Sequence, residues 1–236
     1  IVAPLEEQSG MSMSLPPRRT PHVRAIPAPD PAHSEITAFA VEGTPVACVT
    51  VGMLADLGPR PDVIVSGINR GLNTGTNVLL SGTVGAAMIG ALYGLPALAM
   101  SQQFKGDAPM PWATAAWAAV RTFPLLAQLR GNGPLVLNVN VPHEHDLADV
   151  RGFRQTELSN FFYGSVVDVG LGEPDGDEKR ALSFTYRRDK VPAFADHTDD
   201  GAVRAGYVSI TPLAPLLSGS GLDLSRSLEA LAMPDL

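Results

Sequence analysis

The chain of 236 residues is short of several things at once: it has one cysteine, Cys48, only 6% aromatic residues and only 17% charged residues. A lone thiol excludes an intrachain disulfide framework and any zinc-knuckle spacing, so Cys48 reads as a small buried hydrophobe. No stretch approaches the ~20 uninterrupted apolar residues that cross a bilayer, and the start has no charged segment leading into an apolar one. Both absences predict a cytoplasmic protein that does not engage membranes. Positive charge is scarce too, with 17 Lys and Arg against 24 Asp and Glu, a formal net charge of −7. Such a molecule repels polyanions at long range, which argues against a nucleic-acid polymer as partner. Arg18, Arg19 and Arg24 cluster near the start, but three charges among prolines make a solvated loop rather than a polybasic arm. A small phosphorylated ligand stays open, because backbone amides and a divalent cation hold phosphate without net basicity.

The 45% of apolar residues suffice for one α/β domain that needs no disulfides to hold its core. Residues 1–4 read as the end of a buried strand. Prolines at 16, 17, 21, 27, 29 and 31 forbid helix there, leaving extended pieces at 21–26 and 35–41. Thr44-Pro45 opens a helix that Gly58-Pro59 stops. Residues 62–66 are apolar and β-branched, as in a central parallel strand buried on both faces. A Gly- and Asn-rich loop, a helix over 81–93 and a strand over 96–101 complete a βαβ unit. A long helix over 112–129 and a strand over 134–141 extend it. The pattern predicts a Rossmann-like three-layer αβα sandwich with a doubly wound, mostly parallel sheet. Beyond Pro142, residues 161–188 form an aromatic hairpin with an acidic tip, an arm for another subunit or one folded back on its own domain. A helical turn over 202–206, a strand over 207–211 and an amphipathic helix over 222–233 end the chain.

The chemistry concentrates in residues 65–83. In open α/β sheets ligands bind beyond the carboxyl ends of the strands, and this loop leaves such an end. Glycines 67, 71, 75 and 82 permit close backbone approach, Asn69 and Asn73 offer amides, and Ser81 and Thr83 stand where helix-end amides point outward. The pattern reads as an anion site. It lacks the Gly-Lys-Ser/Thr ending of a Walker motif, so a turn-rich structural loop is the competing reading.

Three separated blocks, "IVAPLEEQSGMSMSL", "SGINRGLNTGTNVLLSGTVGAAMIGALYGLPALAMS" and "HTDDGAVRAGYVSITPL", resemble the SurE survival protein family of metal-dependent nucleoside monophosphate phosphatases. The resemblance runs from residue 1 to about Leu213. It implies a single domain over 1–236 with an oligomerisation hairpin at 161–188 and a C-terminal tail at 214–236. It further implies a homodimer or homotetramer, a nucleoside monophosphate substrate, and possible action on short polyphosphate. One divalent ion, Mg²⁺ or Mn²⁺, is implied, with Ser9 and Asn69 as neutral ligands and Asn73, Ser81, Gly82 and Thr83 holding phosphate. The family's paired metal aspartates and the catalytic aspartate have no counterpart in the matching block, so the first strand, metal loop and first helix are expected upstream of Ile1. Serine and asparagine oxygens without a carboxylate bind a hard cation poorly. The alternative from another class is therefore a non-catalytic nucleotide or phosphate binder. Residues 143–146, His-Glu-His-Asp, read as a surface loop, His197 with Asp199 as a structural pair, and no Gly-x-Ser-x-Gly elbow suggests a serine hydrolase.

Overall fold

A computed structural model describes residues 1–15, 21–129 and 135–215. Arg18, Arg19, the helix expected at 222–233 and nearly all of the 214–236 tail lie outside them. The chain enters as β1 (Val2–Pro4), half-buried rather than buried, which pairs in parallel with β3 (Ala38–Val41) while β2 (Val23–Ile26) runs antiparallel to β3. Thr44 then caps α1 (Pro45–Leu54), its Oγ1 accepting the Ala47 N–H at 3.2 Å, with Pro45 at the first helical position. The helix ends at Leu54, a turn before the Gly-Pro expected to stop it. Cys48, on the buried side of α1, is 3% exposed, and desolvation pushes its thiol up to about 11.

From β4 (Ile64–Arg70) the chain passes through α2 (Gly82–Leu92), β5 (Ala97–Gln102), α3 (Trp112–Thr122), β6 (Val136–Val141), β7 (Phe153–Gln155), β8 (Val167–Pro174), β9 (Arg180–Tyr186), α4 (Asp199–Arg204) and β10 (Val208–Leu213). Five of these strands form one sheet in the order β4-β5-β6-β10-β7: β4, β5 and β6 are parallel, β10 is antiparallel to β6, and β7 is parallel to β10. The expected Rossmann-like layering is present, with two corrections. β4 is an edge strand of its sheet, not a central one, and Val65 is 48% exposed. The long helix breaks at Thr122 and continues as 3-10 turns over residues 123–129, because Pro124 has no N–H to donate and its ring crowds the preceding turn. No helix among the described residues is long and apolar enough to cross a membrane.

Strand side chains alternate between faces, and here the two faces differ. Toward α3, Leu98, Met100, Leu137, Val139, Val141, Val208 and Ile210 pack on Ala115 and Ala118 in one continuous apolar core. Toward α2, Ala97, Ala99, Val136 and Leu213 pack on Val84, Ala87, Met88 and Ala91. Nearer the carboxyl ends of β5 and β6 that second face turns polar: Ser101, Asn138, Asn140, Ser209 and Thr211 are all buried there.

Residues 161–188 contain the expected hairpin, β8 paired antiparallel with β9, its strands exposed almost throughout. Val169 stands opposite Phe184 and Leu171 opposite Leu182, so one face is an apolar stripe of residues 59–69% exposed. The base is tied by ion pairs from Asp168 to Arg187 at 2.7 Å and to Lys190 at 2.9 Å.

Candidate functional site

The polar end of the α2 face is where the loop after β4 lands. Asn73 donates its N–H to Asn140 Oδ1 at 2.8 Å and accepts at its carbonyl from Asn138 Nδ2 at 2.8 Å and Asn140 Nδ2 at 3.0 Å. Its own Nδ2 donates to Ser101 Oγ at 2.7 Å, and the residue is 7% exposed. The structure thus gives Asn73, expected to hold phosphate, four bonds that fasten the loop to the sheet. Beside it, Thr156 Oγ1 lies 2.7 Å from Ser209 Oγ and 2.8 Å from Thr211 Oγ1, so the buried hydroxyls of β10 are also partnered. Asn138 Oδ1 and Gln102 Oε1 are the buried acceptors left without a partner among the described residues.

The next two residues are gripped from α4. Thr74 Oγ1 donates to Asp200 Oδ1 at 2.9 Å and the Gly75 N–H donates to Asp199 Oδ2 at 2.9 Å. Ser159 donates its Oγ to Asp200 at 2.6 Å and its N–H to Asp199 at 2.9 Å. Gly75 needs to be glycine: its φ is +56°, and a Cβ would stand 2.6 Å from both the Phe161 carbonyl and Ser159 Oγ. Burial pushes the Asp199 carboxyl above the usual carboxylate range, against the pull of the amides it accepts from. These contacts correct the expected His197–Asp199 pair, since Asp199 is occupied by backbone amides and His197 contributes its carbonyl, which accepts the Glu157 N–H at 3.1 Å. Sequence reasoning missed this acidic pair and the Asn138, Asn140 and Ser101 trio. Two asparagines at alternate positions of the apolar β6 are the signal that could have found the latter.

Ser81, Gly82 and Thr83 stand together at the start of α2. Ser81 Oγ accepts the Val84 N–H at 3.1 Å as N-cap, leaving the Gly82 and Thr83 amides without intrahelical acceptors. Thr83 is half-buried and its hydroxyl has no hydrogen bond among the described residues. A Cβ on Gly82 would stand 3.0 Å from Pro45, so the N-terminal ends of α1 and α2 abut and their positive dipole ends add. The loop carrying Ser9 lies over the same place: the Ser12 N–H donates to the Leu80 carbonyl at 3.2 Å, and Thr44 Oγ1 donates to the Ser14 carbonyl at 2.6 Å.

The two expected metal ligands are not bonded to each other. Ser9 is exposed and its Oγ donates to Glu7 Oε1 at 2.6 Å. Asn69, near the carboxyl end of β4, donates Nδ2 to the Gly71 carbonyl at 2.9 Å, and its Oδ1 accepts no hydrogen bond among the described residues. Among the described residues no group of three or more His, Cys, Asp or Glu could hold a metal. Two neutral oxygens do not by themselves satisfy a hard divalent cation, so the residues in hand fit only part of such a shell.

His143 is a further correction: it is 5% exposed, its N–H donating to Gln103 Oε1 and its Nδ1 to the Gln103 carbonyl, both at 3.0 Å, while His145 remains exposed as expected. A broad concavity of about 510 Å³ lined by residues 155–158 and 211–214 lies along β7 and β10 and contains none of the expected ligands.

A parallel-centred sheet with helices packed on both faces and a Gly- and Asn-rich loop beyond the carboxyl end of β4 defines a Rossmann-like α/β protein. The chain belongs to the survival protein SurE family, whose model matches residues 1–165. It is 36% identical to the 5'-nucleotidase SurE 1 of Burkholderia lata over 90% of this chain and 78% of that protein. Against the 5'/3'-nucleotidase SurE of Edwardsiella ictaluri it is 34% identical over 94% of this chain and 81% of that protein. The crystal structure of the SurE protein from Aquifex aeolicus superposes with a TM-score of 0.74 at 27% identity, covering 97% of this chain and 86% of that one.

Proposed function

We propose that the chain hydrolyses the phosphate monoester of nucleoside 5'- or 3'-monophosphates. The observation that carries this reading is the junction of the α1 and α2 N-termini, where the Gly82 and Thr83 amides and the Thr83 hydroxyl lack partners among the described residues. In this reading they hold the non-bridging phosphate oxygens, and Ser81 keeps the helix end in shape by capping it. Asn73 serves by fastening the loop rather than by touching phosphate. A divalent ion, Mg²⁺ or Mn²⁺, when bound, supplies Lewis acidity and a water of lowered pKa. Asn69 Oδ1 and Ser9 Oγ would be neutral ligands to it; the carboxylates such an ion requires are not among them, and no step is assigned through it. Relatives named as nucleotidases support catalysis over the non-catalytic binder.

Thr83→Val tests the reading, because it keeps volume and removes one hydroxyl. Nucleoside monophosphate hydrolysis, measured as phosphate release, should fall about 10²–10³-fold, as for loss of one well-placed donor. A variant that loses only thermal stability would reassign Thr83 to the helix cap. Asn69→Ala should also lower the rate and recover partly at high Mn²⁺.

We further propose that the hairpin arm joins a second copy of the chain in a homodimer or homotetramer. Its Val169, Leu171, Leu182 and Phe184 stripe is left uncovered by the described residues of its own chain. Light scattering at micromolar concentration tests this: the wild type should exceed 24.8 kDa, and replacing residues 169–181 with a short turn should lower the mass. A monomeric wild type overturns it.

A further inference from the structure

We propose that Arg70 and Phe104 form a stacking platform for the nucleobase of the substrate, an inference that rests on the nucleotidase reading and supplies its nucleoside half. Arg70 is the last residue of β4, directly after Asn69, and its register partner in β5 is Gln102, two residues before Phe104. The guanidinium carbon lies 5.2 Å from the Phe104 ring centroid. Arg70 is exposed and makes no ion pair among the described residues, and Phe104 is 47% exposed. An aromatic ring left half in water at the carboxyl end of a parallel strand, with an unneutralised guanidinium laid over it, matches what π-faced ligands use. Bases stack on aromatic rings and on guanidinium planes alike.

Position makes the ligand a nucleoside rather than a free aromatic. A Cβ on Gly71 would stand 3.6 Å from Asn69 Nδ2 and 3.8 Å from Phe104 Cε1. The Asn69 amide and the ring edge therefore flank one point, at a glycine whose φ of +129° side-chain-bearing residues rarely adopt. In the nucleotidase reading Asn69 holds the ion that the phosphate meets, and Phe104 stands next to Asn69 across Gly71, so a base stacked at Phe104 belongs to the same ligand. The cation adds a second preference, because a guanidinium beside the site attracts the anionic substrate as well as the π-face.

The test compares adenosine 5'-monophosphate with ribose 5-phosphate, the same phosphomonoester with and without a base, on the full chain supplied with Mg²⁺. In Phe104→Leu the ratio of kcat/KM for the nucleotide over the sugar phosphate should fall about 5- to 150-fold, mainly through KM, as expected for one lost base–aromatic stack. Arg70→Gln should lower the same ratio less. Unchanged thermal midpoints would show that both surface variants fold. A ratio that stays at its wild-type value in Phe104→Leu overturns the platform. If the wild type cleaves neither compound, the nucleotidase reading fails instead, and calorimetric binding decides the platform: it stands if Phe104→Leu weakens the nucleotide more than ribose 5-phosphate, and falls if both bind as to wild type.

Discussion

The two faces of the five-stranded sheet are built from the same strands, yet they do different work. The α3 face buries an unbroken layer of Leu, Met, Val and Ile against alanines. The α2 face is apolar only near the amino ends of β5 and β6, and it gives way to Ser101, Asn138, Asn140, Ser209 and Thr211. Apolar packing is non-directional, so the α3 face stabilises the fold without fixing any loop in one place. Buried amides and hydroxyls are directional and costly when unpaired, so the α2 face holds residues 73–75 in one geometry. Residues 73–75, on the way from β4 to α2, are fastened at that polar end.

The contrast can be broken by substitution. Leu98→Ala, on the fully buried α3 face, should cost about 2–5 kcal/mol, seen as a melting temperature lower by about 2–4 °C for each kcal/mol, with KM unchanged. A raised KM would erase the division between the faces. Asn140→Leu on the other face strips the Asn73 N–H of its acceptor and one donor from its carbonyl. The stability loss should be smaller, about 1–3 kcal/mol, but kcat/KM should fall with it because the loop is no longer held. A loss of stability alone would sever the polar layer from function.

The smallest expected effects sharpen the comparison through pH, using two aspartates with opposite shifts. Asp199 is raised by desolvation, so its contribution to stability is fully present below the ordinary Asp value and is lost as pH rises through its folded value. Asp168, at the hairpin base, is held low by its hydrogen bonds to Lys190 and Arg187; its contribution is present above the ordinary value and is lost as pH falls. Urea titrations from pH 3 to 7 of wild type against Asp199→Asn and Asp168→Asn should give stability differences with slopes of opposite sign. The Asp168 difference should also shrink with added salt, as its ion pairs lie in solvent. Matching slopes would mean that burial does not separate the two sites.

Most of the fold was legible because local signals agreed: Thr44-Pro45 and Ser81-Gly82 both start helices where expected, and the apolar runs at residues 97–100 and 136–141 are strands. The loop at 65–83 was read as an anion site through its glycines and helix start, and of that reading the structure supplies the helix start, with Ser81 as its cap. What was not legible depends on long-range pairing. Asn73 looks like a ligand in sequence, and only the arrival of Asn138 and Asn140, more than sixty positions away, turns it inward. Asp199 reads as a partner for His197, ahead of a helical turn expected only from 202, until α4 is seen to start at Asp199 and Thr74, Gly75 and Ser159 are seen to meet Asp199 and Asp200. His143 was misjudged because its charged neighbours suggest solvent, whereas its bonds to Gln103 bury it. β4 has the composition of an interior strand but stands at its sheet's edge, a matter of strand order that composition does not encode.

Cys48 gives the molecule a built-in reporter. The one thiol sits on the buried side of α1, the helix whose first turn abuts the start of α2 at Gly82, and its high pKa leaves almost no thiolate at neutral pH. A maleimide or disulfide reagent can therefore reach it only when α1 lifts away or the whole domain opens, so the labelling rate counts those openings. A phosphate ligand that bridges the two helix ends would slow that chemistry, and occupancy of that junction could be read from a sulfur atom that never touches it.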